Sequence, residues 1–259
     1  MIKKEKYPIL EYSNQKEGIL SRMTNTVKTT EATPFPERAV FAFLKEEVIR
    51  NFVKNYGGVK ICEHHTVSKE LPIYKINFKG REVCICQGAV GSAVSSEIVD
   101  WMIGHGVKKI VACGSCGALE HFAEGELLIP TKALRDEGAS YKYLPPSRFV
   151  EIDKSAIKVI EETMKEKDIK YEECVTWSTD GFYRETAEMI AYRKKEGCTV
   201  VDMECSALAA VAKFREAEFG QVLFTADSLA DVENYDARGF GRDAHESVLE
   251  LCFDIVLNF

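Results

Sequence analysis

Four places in the 259-residue chain set chemically able side chains just past an apolar run. The first is Val201-Asp202-Met203-Glu204, followed at once by the small-residue segment CSALAAVA. One carboxylate can accept two hydrogen bonds from a vicinal diol, so Asp202 or Glu204 could grip a polyol. A carboxylate at a helix start can equally serve as a cap. Strand alternation predicts Asp202 and Glu204 on one side and Met203 on the other. The second is Asp227, in FTADSL, which as a general acid would need an apolar surround to raise its pKa; its plain alternative is a turn or cap residue. The third and fourth are Gly88-Ala89-Val90-Gly91-Ser92 and Gly114-Ser115-Cys116-Gly117. Glycines there let backbone approach a ligand, and a following helix presents free N–H groups to an anion. Each could also be only a tight turn. Neither is a GxGxxG fingerprint, which disfavours a nicotinamide enzyme.

These segments need strands that end at one edge. Phe41, Leu44, Val48 and Phe52 recur at helical spacing and predict a helix over Phe35 to Tyr56. IYKINFKG and REVCICQG read as a hairpin around Lys79-Gly80. Ala93 to His105, Asp153 to Lys167 and Asp243 to Asn258 read as helices. KKIVACGSCGAL reads as a buried strand running into a glycine turn. ELLIPTKAL, CVTWST, CTVVDM and GQVLFTA complete the strands. Strands alternating with helices imply an α/β fold, where ligands sit at the carboxyl ends of strands.

Composition narrows the class. Residues 1–33 read as a polar arm, and 34–259 as one domain. Lys and Arg total 34 against 41 Asp and Glu, a net charge of -7 that argues against a nucleic-acid binder. An anionic ligand would need a local basic pocket. Neither a signal peptide nor an apolar run of about 18 residues is found, so no membrane partner is expected. Nine cysteines in apolar strings read as reduced thiols of a cytoplasmic protein. Cys113 and Cys116 have no second pair, so no metal site is expected.

GAVGSA, IVACGSCGAL, STDGFY, VDMECSALAAVA and FTADS, in this order, resemble the nucleoside phosphorylase superfamily. The similar branch holds hexameric purine nucleoside phosphorylases, uridine phosphorylases and methylthioadenosine nucleosidases, and the resemblance spans roughly residues 34–259. It implies a single-domain three-layer α/β sandwich with a mixed central sheet flanked by helices. It also implies a pentosyltransferase that cleaves a nucleoside with phosphate as co-substrate, no other cofactor, and a homo-oligomer, dimer or hexamer.

On that resemblance Glu204 binds the ribose hydroxyls, Met203 packs on the sugar, and Asp202 replaces a glutamate. Phe182 stacks on the base. Asp227 matches the acid at purine N7, with Arg242 assisting. Ser115, Arg38 and the Gly88 turn match phosphate contacts, and Lys69 falls near an arginine given by a neighbouring subunit. Pro34 and Phe35 stand where the phosphate loop has Gly-Asp, and Ala112 stands for a second phosphate arginine. Arg135, ahead of Arg148 and Arg184, is the expected substitute. The Gln-x-Arg insert that reads uracil is missing, which points to purines. The expectation is phosphorolysis; hydrolysis by water and a non-catalytic relative are the alternatives.

Overall fold

The computed structural model describes residues 2–20 and 35–259. Pro34, and residues 21–33 of the expected arm, lie outside the described residues. The strands are β1 (Arg38–Phe43), β2 (Val59–His65), β3 (Glu70–Phe78), β4 (Arg81–Gln87), β5 (Lys109–Ala118), β6 (Leu127–Asp136), β7 (Phe149–Glu151), β8 (Glu172–Thr179), β9 (Val200–Asp202) and β10 (Glu218–Ser228). The helices are α1 (Glu46–Asn55), α2 (Ser92–Gly104), α3 (Ser140–Tyr143), α4 (Lys154–Glu166), α5 (Ala187–Lys195), α6 (Cys205–Arg215) and α7 (His245–Asn258).

The sheet is mixed. β1 lies parallel to β4 and β5, and β10 runs parallel to β5. β10 then pairs antiparallel with β6, β6 parallel with β8, β8 parallel with β9, and β9 antiparallel with β5. Those five strands close a circuit, from which β1, β4, β3 and β2 extend as an open wing. Alternation along β1 shows the layering. Val40 and Ala42 join the apolar cluster under α4 and α7, while Ala39 and Phe41 join the cluster under α2 and α6. The hairpin expected at Lys79-Gly80 is present, with Phe78 opposite Arg81 and both turn residues at positive φ.

Three readings of the elements need correction. The helix expected over Phe35 to Tyr56 is a strand, β1, followed by the shorter α1. A fully buried strand has no polar face, so its apolar run blends into the helix behind it. The glycine turn expected at Gly114 to Gly117 lies inside β5 instead. Glycine there makes room: a Cβ on Gly114 would lie 2.9 Å from Cβ of Phe43, and one on Gly117 would lie 2.9 Å from Val201 and Leu229. In a strand, residues three apart point to opposite faces, so Cys113 and Cys116 fall into different core clusters. Strand β9 stops at Asp202, so the alternation expected through Glu204 does not hold. The described part of the N-terminal segment docks on the end of α6, where Lys16 reaches the Phe214 carbonyl and Arg215 reaches the Lys16 carbonyl. Among the described residues no helix is long and apolar enough to cross a membrane.

Candidate active site

A cavity of about 460 Å3 opens at the carboxyl ends of β1, β5, β9 and β10. Its walls include Phe43, Ser115, Phe182, Glu185, Met203, Glu204, Asp227 and Phe240. This is the size range and place of a small-molecule site in an α/β protein. Glu204, Met203, Phe182, Asp227 and Ser115, picked out in the sequence, thus share one cavity.

Glu204 sits where β9 gives way to α6, and its buried Oε1 accepts the N–H of Gly91 at 2.6 Å. Burial first, and the neighbouring Asp202 carboxylate second, raise its pKa above the usual carboxyl range. Met203 lines the same wall. Asp202 has a different task from the one expected. Its Oδ1 accepts the hydroxyls of Thr176 at 2.9 Å and Ser178 at 2.7 Å, and its Oδ2 accepts the N–H groups of Glu204 at 2.9 Å and Cys205 at 2.6 Å. With both oxygens committed, Asp202 caps α6 and fixes Glu204 instead of holding a sugar.

At the far end, Asp227 accepts the phenol of Tyr235 at 3.0 Å. Glu185 faces the same cavity, and burial, then the Asp227 charge, push its carboxyl up to about 7. Phe182 stands half exposed beside them, its ring edge-on to Tyr183. Glu185, Tyr235 and Phe43 were missed in the sequence. The one available signal was an acid three residues after the stacking Phe182; what makes Glu185 unusual, its closeness to Asp227, is a through-space property.

The expected phosphate contacts do not assemble. Arg38 opens β1, at the end of the strand away from the cavity, and its guanidinium donates to the Phe259 carbonyl at 3.0 Å. The expectation rests on the resemblance of the Pro34–Arg38 segment to a phosphate loop, whose Gly-Asp pair this chain lacks. Buried Arg135 donates to Ser140 Oγ, the Pro145 carbonyl, Ser147 Oγ and the Leu144 carbonyl, at 2.7–3.2 Å. It clamps its own loop. Arg148 pairs with Glu196, and Arg184 and Arg242 are exposed outside the cavity wall. Lys69 donates to Gln87 Oε1 at 3.0 Å. Gly88 is open to Phe43, not to an anion: a Cβ there would lie 2.6 Å from the Phe43 ring. The start of α2 is also taken, since Gly91 N–H serves Glu204 and Ser92 Oγ donates to Asp180 at 2.5 Å. Among the described residues no lysine or arginine lines the cavity.

Two expectations follow from these contacts. Replacing Arg135 with alanine frees four loop partners, and a charged hydrogen bond is worth about 1.5–3 kcal/mol. Urea unfolding should show a loss of about 3 kcal/mol, with the activity of folded protein retained; a stable variant whose only defect is in phosphate affinity would restore Arg135 to the site. The second concerns pH. Glu204 and Glu185 hold protons in the folded chain above the 4.5 of an unfolded glutamate. Between these values the folded state binds more protons, so stability falls as pH rises. The melting temperature of the ligand-free protein should drop between about pH 5 and pH 8, and Glu204→Gln and Glu185→Gln should each flatten that slope. A slope untouched by both would contradict their burial.

Glu204 and Asp227 thus line one cavity at the carboxyl edge of a closed strand circuit. The profile of the phosphorylase superfamily matches residues 37–256, and the chain belongs to that superfamily. A guanosine phosphorylase of Halorubrum lacusprofundi is 24% identical over 156 residues, 60% of this chain and 65% of that protein. The match therefore spans just under two thirds of that relative's length. The crystal structure of uridine phosphorylase from Vibrio fischeri ES114 superposes with a TM-score of 0.75 at 22% identity, over 89% of this chain and 94% of that one. That of AMP nucleosidase from Bacteroides thetaiotaomicron VPI-5482 gives 0.71 at 20% identity, over 94% and 97%.

Proposed function

We propose that this chain cleaves the N-glycosidic bond of a nucleoside, purine in preference to uridine, with water as the attacking group. The observation that carries this is one cavity lined by Glu204, Met203, Phe182, Asp227 and Glu185, with no lysine or arginine in its wall among the described residues. The Glu204 carboxyl, held in place by the Gly91 N–H, takes the ribose diol. Met203 packs on the sugar and Phe182 stacks on the base. The base end offers carboxyl groups, which can deliver or share a proton with a purine nitrogen. No side-chain amide or guanidinium lines the wall to read the carbonyls of uracil. Water is favoured because the Phe43 ring fills the gap left by Gly88 and Gly114, and Glu204 occupies the Gly91 N–H. A phosphate dianion would meet a ring and carboxylates there. The reading uses no metal or organic cofactor.

Phosphorolysis is the second reading. The exposed hydroxyl of Ser115 in the cavity wall favours it, and the Halorubrum relative is named a phosphorylase. Lys69, placed on Gln87 next to the Gly88 turn, would then have to swing in or come from a second copy in a dimer or hexamer. A nucleoside panel assayed for base release with and without phosphate decides between them. The expected result is purine release at equal rates in both buffers, with free ribose as product. Ribose 1-phosphate formed only when phosphate is present would overturn water. No base release from any nucleoside would leave a binding protein of the same fold.

A further inference from the structure

Glu185 belongs to none of the sequence motifs, yet it shares the base end of the cavity with Asp227 and Phe182. It follows Phe182 by three residues, within the short turn Phe182–Arg184 and its cap. Among the described residues no hydrogen-bond donor reaches its carboxyl group, in contrast to Asp202, Glu204 and Asp180, which all accept protein donors. Asp227 is the tethered partner, fixed by the Tyr235 phenol. Two carboxyl groups facing one apolar-walled space resist double ionisation, so one of them keeps a proton.

We propose that Glu185 is the group that protonates the leaving base, with Asp227 beside it in the same cavity. This rests on the nucleoside-cleaving reading above. The Glu185 O–H gives its proton to the base nitrogen as the C1′–N bond breaks and the bonding pair moves onto the base. The attacking water forms the new C1′–O bond, and its surplus proton returns to the Glu185 carboxylate through solvent. The titratable groups that share the cavity with Glu185 are Asp227, Asp202, Glu204 and Cys116, and Tyr235 in the loop beyond β10 bonds Asp227. Burial first and the Asp227 charge second raise the Glu185 pKa, and burial, then Asp227, then Glu185 raise that of Tyr235. The acid must be protonated to act, so the rate should fall as pH climbs through about 7.

The test is a pH profile of kcat for guanosine and 7-methylguanosine, measured on wild type, Glu185→Gln and Asp227→Asn. The base of 7-methylguanosine leaves without an added proton. Glu185→Gln should lose about 100-fold or more on guanosine and about threefold or less on 7-methylguanosine, and its guanosine profile should lose the alkaline limb. Asp227→Asn should keep that limb but move it to lower pH, because a negative charge beside Glu185 is gone. The reverse pattern, with the limb abolished in Asp227→Asn and only shifted in Glu185→Gln, overturns the assignment in favour of Asp227. Equal losses on both substrates in Glu185→Gln overturn it as well, since that pattern is one of binding or packing. If Glu185→Gln does not fold, the direction of change in Asp227→Asn still decides. Wild-type protein that releases no base from either substrate would refute the parent reading itself, a result distinct from all of these.

Discussion

Replacing Glu204 with glutamine is expected to cut kcat/KM for the preferred nucleoside at least about tenfold, and replacement with alanine at least about a hundredfold. Glutamine keeps the shape and can still accept from Gly91, which Glu204 does now through Oε1. It turns an N–H group toward ribose hydroxyls that the carboxyl group would accept, and a buried hydrogen-bonding group left unpaired costs about 1–3 kcal/mol. Alanine loses the Gly91 contact too, so the start of α2 is left without its acceptor. A 2′,3′-dideoxynucleoside supplies the control. It should be a poor substrate for wild type and should lose little further in the variant, because the partners of Glu204 are already absent. Full activity of folded Glu204→Gln on the normal substrate would reduce Glu204 to a structural tie between α2 and α6.

The second large effect lies on stability. Asp202→Ala should lower the unfolding free energy by about 4 kcal/mol or more, measured in urea. Four donors, the hydroxyls of Thr176 and Ser178 and the N–H groups of Glu204 and Cys205, converge on that buried carboxylate. A buried donor left alone costs about 1–3 kcal/mol, and four such costs take up a large share of a total stability of about 5–15 kcal/mol. Asp202→Asn should fall between wild type and alanine, since an amide offers one acceptor oxygen and turns an N–H group toward existing donors. A neutral Asp202→Ala together with weakened sugar binding would reinstate the ligand role first expected of it.

The sequence made the site's skeleton legible because its chemistry sits in contiguous motifs at strand ends. Met203 and Glu204 follow β9, Asp227 ends β10 and Ser115 lies on β5, so finding the strands found the cavity. Direction was another matter. Arg38 and Arg135 have the right residue type, but one opens its strand instead of closing it and the other turns back onto its own loop. An arginine's reach lets it satisfy several competing acceptors, and only packing settles which. The role of Phe43 was hidden inside a run that reads equally well as helix. That the glycines of two separate segments, Gly88 and Gly114, are small for the sake of one ring is a property of three chain segments meeting, which no single stretch encodes.

The closed strand circuit has a mechanical meaning for the molecule. Each of β5, β6, β8, β9 and β10 is held by at least two ladders, so none can peel away by breaking one alone. β2, by contrast, hangs at the rim of the open wing on β3 alone. Loosening should therefore begin at β2 and travel inward through β3 and β4, reaching the circuit last. The turn around Gly88 follows β4 and sits on that route, while Glu204 and Asp227 are anchored in the circuit. The cavity then has one wall built on yielding ground and one on fixed ground. Amide exchange should record this as slow, uniform protection in β5 and β10 and graded, faster exchange from β4 out to β2. The Gly91–Glu204 hydrogen bond is one joint between the two regions, and a ligand lying between Val90 and Asp227 would add another and bring their opening rates together.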